Sequence, residues 1–471
     1  MFWRLFNAVC ASLLISVFVQ ADAAAITAAE YLPLADGNSW TFSVDGFATQ
    51  TVTVLPGATL INGVATKGLR DSEGSIDYLT SDANGIRQHG EFDPSPPAGT
   101  LTFDPPVVYV QGTADVSDVV NTSGTVSFSL PSISTTPFIF NYTDTAVVEA
   151  FETITVPAGT FKTLRVRDTL HVFGTSQGES LDITMVETDW NAKLIGPVKA
   201  VVSDSDGTET AVLTSTNIIP PIFSSILPSS RSVQVNVPAT AFATIINPSG
   251  ATATNCSLSP VTSLPADFLY QTTNPLTNAL TGTPNTPVTI APEASQSFVI
   301  AFTPSAAFSP TEVELQFDCS NTAAAPTFVG LNTLLLSASD TPIPDIVALV
   351  ATQSGDGIAN IAGATGDGVF AVAIANVGAT GNITASVDTG GVTLPVGISI
   401  CESNPATGQC ISPVQPSVVT TIDSNETAAF VIFLNASGTI PFDPANSRVF
   451  VRFRDGGGVT RGSTSVAVRT L

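Results

Sequence analysis

Lysine is almost missing from this chain, and histidine nearly so. Of 471 residues, four are lysine (Lys67, Lys162, Lys193, Lys199) and two are histidine (His89, His171). Lys and Arg together number 15 against 39 Asp and Glu, giving a formal net charge of −24, although charged residues are only 11% of the chain. A surface of that sign repels nucleic acid and anionic lipid, so nucleic acid is excluded as a partner. Two histidines, both remote from the cysteines, are too few for a zinc site. Helical periodicity is nearly absent. Beyond the N-terminus no apolar run approaches the roughly 20 residues that cross a bilayer.

The N-terminus carries the one long apolar run. Met1 to Arg4 supplies a cationic start, "LFNAVCASLLISVFV" (5–19) follows, and Ala21-Asp22-Ala23 is a small-x-small cleavage pattern. Together they predict a secretory signal peptide over 1–23, leaving a mature chain with no transmembrane segment. A membrane anchor is the weaker reading, because the run is shorter than a bilayer requires. Cys10 leaves with the signal. Cys256, Cys319, Cys401 and Cys410 remain, and an even count in an exported chain predicts disulfides.

What the chain has in abundance is Thr, Val, Ile, Ser, Gly and Pro in short alternating runs. "SWTFSV" (39–44), "TLRVRDTLHVF" (163–173) and "SRVFVRF" (447–453) are examples. Period-2 alternation, broken by turn residues every ten or so positions, is the signature of antiparallel strands, so the fold class is all-β. Proline-punctuated connectors at "IIPPIFSSILPSS" (218–230) and "SASDTPIPD" (337–345) divide the mature chain. The expected plan is a β-sheet domain over 24–218, a linker over 219–229, a β-sandwich over 230–338, a linker over 339–345, and a second sandwich over 346–471.

The two sandwiches read as copies of one another. "TAFATIINPSGAT" (240–252) aligns with "GVFAVAIANVGAT" (368–380), "SQSFVIAFTPS" (295–305) with "TAAFVIFLNAS" (427–437), and "EVELQFD" (312–318) with "RVFVRFR" (448–454). Leu264-Pro265 matches Leu394-Pro395, and Asn274-Pro275 matches Asn404-Pro405. Five ordered blocks argue for a repeat over chance. Each copy has the length and rhythm of a sandwich of some seven strands. Cys256 and Cys319 fall near an early and a late strand of the first copy, where a bond is expected to pin the two sheets together. Closing a loop of that length is worth about 4 kcal/mol. Cys401 and Cys410 flank the turn-rich "ESNPATGQ", a shorter closure worth roughly 2 to 3 kcal/mol.

The "FATIINPSGATATNC" and "FAVAIANVGAT" segments resemble the strand-turn-strand openings of bacterial cell-surface immunoglobulin-like domains. That resemblance implies architecture and no particular role, since the superfold hosts many. The N-terminal part resembles an uncharacterised group of exported bacterial β-sheet proteins, through "YLPLADGNSWTF" (31–42) and "TITVPAGTFKTLRV" (153–166). It implies an antiparallel sheet, with a half-barrel like those of periplasmic lipoprotein carriers as one form of it. Trp40 and Trp190 are expected as core residues of that sheet.

Chemistry-bearing patterns are sparse. Gly174-Thr175-Ser176-Gln177-Gly178 fits a nucleophile elbow, but a strand follows it and no histidine occurs after His171, so it reads as a hairpin turn. His171 reads as a surface strand residue beside Arg167 and Asp168. A glycosidase needs two carboxylates about 5 to 9 Å apart, which 39 acids neither support nor exclude. Asp204, Asp206 and Glu209 surround a glycine and offer hard oxygen ligands, a weak candidate for calcium, though Asp-Gly is also a common hairpin turn. No other cofactor and no catalytic residue is expected.

Three functions remain open. The first is an exported, non-catalytic structural or adhesive protein, surface-bound or extracellular, with an unidentified protein or glycan partner. The second is a carrier, periplasmic or extracellular, sheltering an apolar ligand in the N-terminal domain. The third is a secreted hydrolase with accessory sandwiches.

Overall fold

The computed structural model describes residues 26–205 and 207–471. The expected signal peptide, with Cys10, and Asp206 lie outside the described residues. The described chain is all-β, with one short 3-10 turn at Ala28–Tyr31. It divides into two compact units. The first comprises residues up to Glu152, Thr163–Asn191 and Gly196–Thr216; the second comprises Thr153–Lys162, Ala192–Ile195 and Asn217–Leu471.

Thirteen strands form the large sheet of the first unit; besides the short Thr59–Ile61, which pairs only with β3, twelve make up the ring: β1 Ser39–Val44, β2 Ala48–Val54, β3 Val64–Arg70, β4 Ile76–Asp82, β5 Gly85–Asp93, β6 Gly99–Gln111, β7 Val119–Ser129, β8 Phe138–Val156, β9 Gly159–Ser176, β10 Glu179–Ala192, β11 Gly196–Ser203 and β12 Thr208–Thr216. Each pairs with its sequence neighbours. The ladder Thr53↔Arg70 joins β2 to β3, and Ala211↔Val44 joins β12 to β1. The result is a closed up-and-down barrel rather than the half-barrel the resemblance implied. Closure removes the two open edges that a half-barrel would leave unpaired.

Alternation decides which side chains face inward. On β8, Phe140, Tyr142, Asp144, Ala146 and Val148 are buried, and on β9 so are Leu164, Val166 and Asp168. The intervening positions face out, and on β9 they carry charge. Arg165 pairs with Glu149 and Glu152, both at 2.9 Å, and Arg167 with Glu149 at 2.7 Å. The outward positions of these two strands mix Asn, Thr, Arg and Glu with Ile139, Val147 and Phe173. Trp40 on β1 is fully buried, with its ring over Gly196 of β11, where a Cβ would lie 2.9 Å from the indole.

The second unit contains two double-sheet bodies. The first has β13 Phe223–Leu227, β14 Ser230–Gln234, β15 Ala239–Ile246, β16 Ala253–Pro260, β17 Ala266–Thr273, β18 Val288–Ile290, β19 Ser295–Pro304, β20 Phe308–Asp318 and β21 Thr333–Ser339. Its sheets run β13-β15-β19-β17 and β14-β21-β20-β16-β18, with β14 parallel to β21. The second has β22 Ile346–Thr352, β23 Ile358–Ile361, β24 Asp367–Asn376, β25 Gly381–Asp388, β26 Val396–Ser403, β27 Ser417–Ile422, β28 Thr427–Ala436, β29 Arg448–Arg454 and β30 Thr460–Thr470. Its sheets run β22-β24-β28-β26 and β23-β30-β29-β25-β27, with β23 parallel to β30. Each body thus has nine strands, where the sequence suggested some seven. Each also has its own core, around Phe298, Phe302 and Phe317 in the first and Phe370, Phe430 and Phe453 in the second.

The paired blocks of sequence fall on corresponding strands: β15 and β24, β19 and β28, β20 and β29. Asn247 and Asn376, at the ends of β15 and β24, are both buried. Each amide donates to two carbonyls, those of Ala251 and Ala291 in one body, Ala379 and Ile422 in the other. A disulfide joins Cys256 to Cys319 and another joins Cys401 to Cys410. The first does not bridge the two sheets as expected. Ser257 pairs with Asp318, so β16 and β20 are neighbours in one sheet and the bond staples them within it. Strand position along the sequence does not say which strands become neighbours.

Candidate functional site

The barrel interior is layered along its axis. At one end the inward positions are apolar: Phe103, Val126, Phe140 and Tyr142 form a buried cluster, against which Leu170, Val172 and Leu181 pack while remaining half-exposed. Further along the same strands the inward positions become acidic. They are Asp144 on β8, Asp168 on β9, and Glu187 and Asp189 on β10, with Asp77 opposite Glu91 on β4 and β5. Hydrogen bonds knit part of this belt, since Gln88 Nε2 donates to Asp77 Oδ1 at 2.9 Å and Tyr109 OH donates to Gln88 Oε1 at 2.6 Å.

Electrostatics show that the belt converges across the lumen. Burial pushes the Asp77 carboxyl up to about 7, helped by the charge of Glu187. Burial likewise raises Glu91 to about 7, with Asp77 and two further aspartates adding to it. Glu187 is raised first by Asp189 and then by burial and Glu91, although β10 and β5 lie far apart in strand order. Six carboxyls therefore share one compartment, and each holds its proton more tightly than in water. Among the described residues, none of the six is in an ion pair.

Asp144 and Asp168 form the tightest part. They are 1% and 4% exposed. Both are raised mainly by burial, Asp168 the more, because the neighbouring Asp144 disfavours a second charge. Among the described residues neither oxygen of Asp144, nor Oδ1 of Asp168, nor the hydroxyl of Thr122, directly opposite Asp144 on β7, makes a hydrogen bond of ordinary geometry.

The residues singled out from sequence fall elsewhere. Ser176 ends β9 at a two-residue hairpin whose Gln177 and Gly178 have φ of 51° and 90°, and its hydroxyl accepts from Ile139 N–H at 2.9 Å. His171 is on the outer face, 2.7 Å from Asp182 Oδ1 and stacked on Phe173. Trp190 is half-buried, with Nε1 donating to Glu152 Oε1 at 2.6 Å and Lys199 Nζ over its ring. Asp204 closes its own turn by accepting from Gly207 N–H at 3.2 Å, and Glu209 is exposed. Among the described residues no group of three or more His, Cys, Asp or Glu is placed to hold a metal ion. The acidic belt was missed. Its signal was an acid at the inward phase of an otherwise apolar alternation, as at Asp144 and Asp168.

A second feature lies between the two double-sheet bodies of the second unit. Arg231 Nε and Nη2 donate to Asp345 Oδ2 at 3.0 and 2.9 Å, and Ser232 N–H donates to Asp345 Oδ1 at 2.9 Å. Ser229 and Ser230 hydroxyls donate to Ser463 O, both at 3.0 Å. A shallow cleft of about 640 Å³ opens beside this joint, bordered by Phe328, Asp388, Arg448 and Phe450. Its cations are already engaged: Arg452 pairs with Asp388 at 2.7 Å, and Arg448 donates to Ser465 and to Pro444 O.

No family model matches the chain, and no curated relative matches it. Two solved structures are similar to part of it. One is a candidate lipoprotein from Parabacteroides distasonis, 14% identical over 40% of this chain and 98% of its own, with a TM-score of 0.23. The other is a candidate exported protein with a YmcC-like fold from Bacteroides fragilis, 12% identical over 40% of this chain and 98% of its own, with a TM-score of 0.22.

Proposed function

We propose that this is an exported, non-catalytic structural and interaction protein, in which two immunoglobulin-like sandwiches form a rigid adhesive or spacing module. The observation that carries the reading is the joint around Asp345. A connector between free domains is exposed and flexible. Here Asp345 is buried, accepts from Arg231 and Ser232 on one side, and donates its backbone N–H to Asn376 Oδ1 on the other. The strand orders favour the immunoglobulin-like assignment, since each body sets its first, third, seventh and fifth strands in one sheet, the A-B-E-D arrangement of that superfold. Two disulfides and a strongly acidic composition suit an oxidising, extracytoplasmic compartment. The test is external protease on intact cells, following a tag in an exposed loop of the second sandwich. Accessibility or release into the medium supports the reading, and full protection inside the cell envelope sinks the adhesive role.

A second reading is favoured by the barrel. A closed twelve-stranded wall encloses more space than an eight-stranded one, whose interior side chains just fill. Inward residues such as Leu170, Met185 and Glu187 keep part of their surface exposed. The barrel is then a binding compartment carried on the same chain.

A further inference from the structure

We infer that the cleft between the two sandwiches binds an acidic sugar, with the carboxylate of a uronic acid ring seated on Arg448 and Arg452. The inference rests on the adhesive reading and deepens it by naming the chemistry of the partner.

Both bodies build the cleft. Its floor is the outer face of β29, where Arg448, Phe450 and Arg452 stand at every second position. One wall is Thr327, Phe328 and Val329, shortly before β21 of the first body. The other runs from Asp388 to Val392, where β25 of the second body ends. Glycine shapes the floor. A Cβ on Gly330 of the first body would lie 2.7 Å from Cε1 of Phe450, and one on Gly390 of the second would lie 2.8 Å from Cε2. The ring therefore fits only between two glycines, and the Arg452 guanidinium lies over it at 4.8 Å.

The charge of the floor selects the ligand. The charged residues lining the cleft are two arginines and one acid, on a chain whose net charge is −24. Asp388 is taken by Arg452, through Nε at 2.7 Å and Nη2 at 3.3 Å. Glu312 of the first body also acts on Arg452, while accepting from the Thr333 hydroxyl. Arg448 meets no acid. It is 6% exposed, and its four hydrogen bonds go to neutral oxygens: Ser465 Oγ twice, Ser465 O and Pro444 O. One N–H of the five on a guanidinium is left over. Arginine is almost never buried unpaired. Burial lowers Arg448 only to about 10, so it stays cationic at neutral pH. An anion in the cleft supplies the missing charge through charge-assisted hydrogen bonds.

The rest of the lining narrows the anion to a sugar. At about 640 Å³ the cleft lies within the roughly 300 to 1,000 Å³ of small-molecule sites, far beyond an inorganic ion. Thr327, Thr389 and Asn446 offer two hydroxyls and an amide to ring hydroxyls. Phe328, half-buried, and Val329, exposed, offer an apolar patch to the C–H face of a ring. A peptide finds no backbone partner on this floor. Extended peptides add at an open sheet edge, and β29 lies inside its sheet between β30 and β25.

The test is calorimetric titration of the full chain with trigalacturonate, against galactotriose and against sodium sulfate. Trigalacturonate should bind about tenfold or more tightly than galactotriose, the difference a charge-assisted hydrogen bond makes. Its binding should weaken as salt is raised. Arg448→Gln removes the unpaired charge and should abolish the preference. Thr327→Glu adds a carboxylate at an exposed position of the lip and should weaken the acid to a similar extent by like-charge repulsion. Far-ultraviolet dichroism melts establish that each variant is folded. If trigalacturonate and galactotriose bind equally, or if neither variant weakens the acid, the seat on Arg448 is overturned. Sulfate that binds as tightly as trigalacturonate and displaces it would show a plain anion site and overturn the sugar. If none of the three binds, the cleft site is overturned, while the adhesive reading is judged separately by protease accessibility on intact cells.

Discussion

Arg231 and Asp345 meet in the joint between the two sandwiches, with two guanidinium nitrogens on one carboxylate oxygen and side-chain exposures of 12% and 5%. The other oxygen of Asp345 accepts from the backbone of Ser232. One side chain thus fixes both the edge strand β14 and the segment leading into the second body. Removing the acid leaves Arg231 without its ion-pair partner, and losing one partner of a buried pair costs about 3 to 5 kcal/mol. For Asp345→Ala we expect faster proteolysis between residues 339 and 345 and a wider distribution of shapes in small-angle scattering, with both cores still folded. Unchanged scattering would mean that the serine contacts hold the joint alone.

The two disulfides should differ in their effect. Cys256 and Cys319 are 63 positions apart and Cys401 and Cys410 only 9. Chain entropy gives about 4 kcal/mol for the long loop and about 2 to 3 kcal/mol for the short one. Replacing each pair by alanine and following denaturant unfolding by far-ultraviolet dichroism should lower the first body's transition more than the second's. Because the long-loop bond staples neighbouring strands of one sheet, its loss should also expose the edge between β16 and β20 to hydrogen exchange.

Alternation along β8 and β9 makes the strands, and even their inward faces, readable from sequence: Phe140, Tyr142 and Asp144 share one phase, Leu164, Val166 and Asp168 another. What alternation does not specify is the partner strand. Whether the sheet closes depends on β2 meeting β3 and β12 meeting β1, pairings such as Thr53↔Arg70 and Ala211↔Val44 that nothing local encodes. The same gap misplaced the Cys256–Cys319 bond between sheets. It also hid the acidic belt, because Asp77, Glu91 and Glu187 become neighbours only once the barrel is closed. Turns were more legible: the Gly174–Gly178 segment is a hairpin because Gln177 and Gly178 take the positive φ that a two-residue turn requires.

Gly196 is a sharp test of closure near β1. Its φ of 93° disfavours any side chain, and a Cβ there would sit 2.9 Å from the Trp40 ring. Gly196→Ala therefore combines backbone strain with overpacking, each typically worth about 1 to 3 kcal/mol. The barrel transition, read by tryptophan fluorescence, should fall accordingly while the sandwiches, which contain no tryptophan, are untouched. An unaltered midpoint would show that Trp40 does not anchor the wall.

The acidic belt makes the barrel's stability depend on pH in a defined direction. Asp77 and Glu91 rise to about 7 from ordinary values of 3.8 and 4.5, and Asp168 is raised further by Asp144. A carboxyl raised on folding binds its proton more tightly in the folded state, so its penalty is absent below about pH 4 and complete only above its folded value. Barrel stability should therefore fall as pH rises from about 5 through 7 and beyond, the reverse of a salt-bridged carboxylate. Asparagine at 168 cannot ionise, and its amide can donate to Asp144. Asp168→Asn should flatten the pH slope of the fluorescence-detected melt and raise the midpoint near pH 8 by about 2 to 4 °C, the shift that roughly 1 kcal/mol produces in a unit of this size. A slope as steep as the unaltered protein's would place the titration elsewhere in the belt, on Glu187 and Asp189.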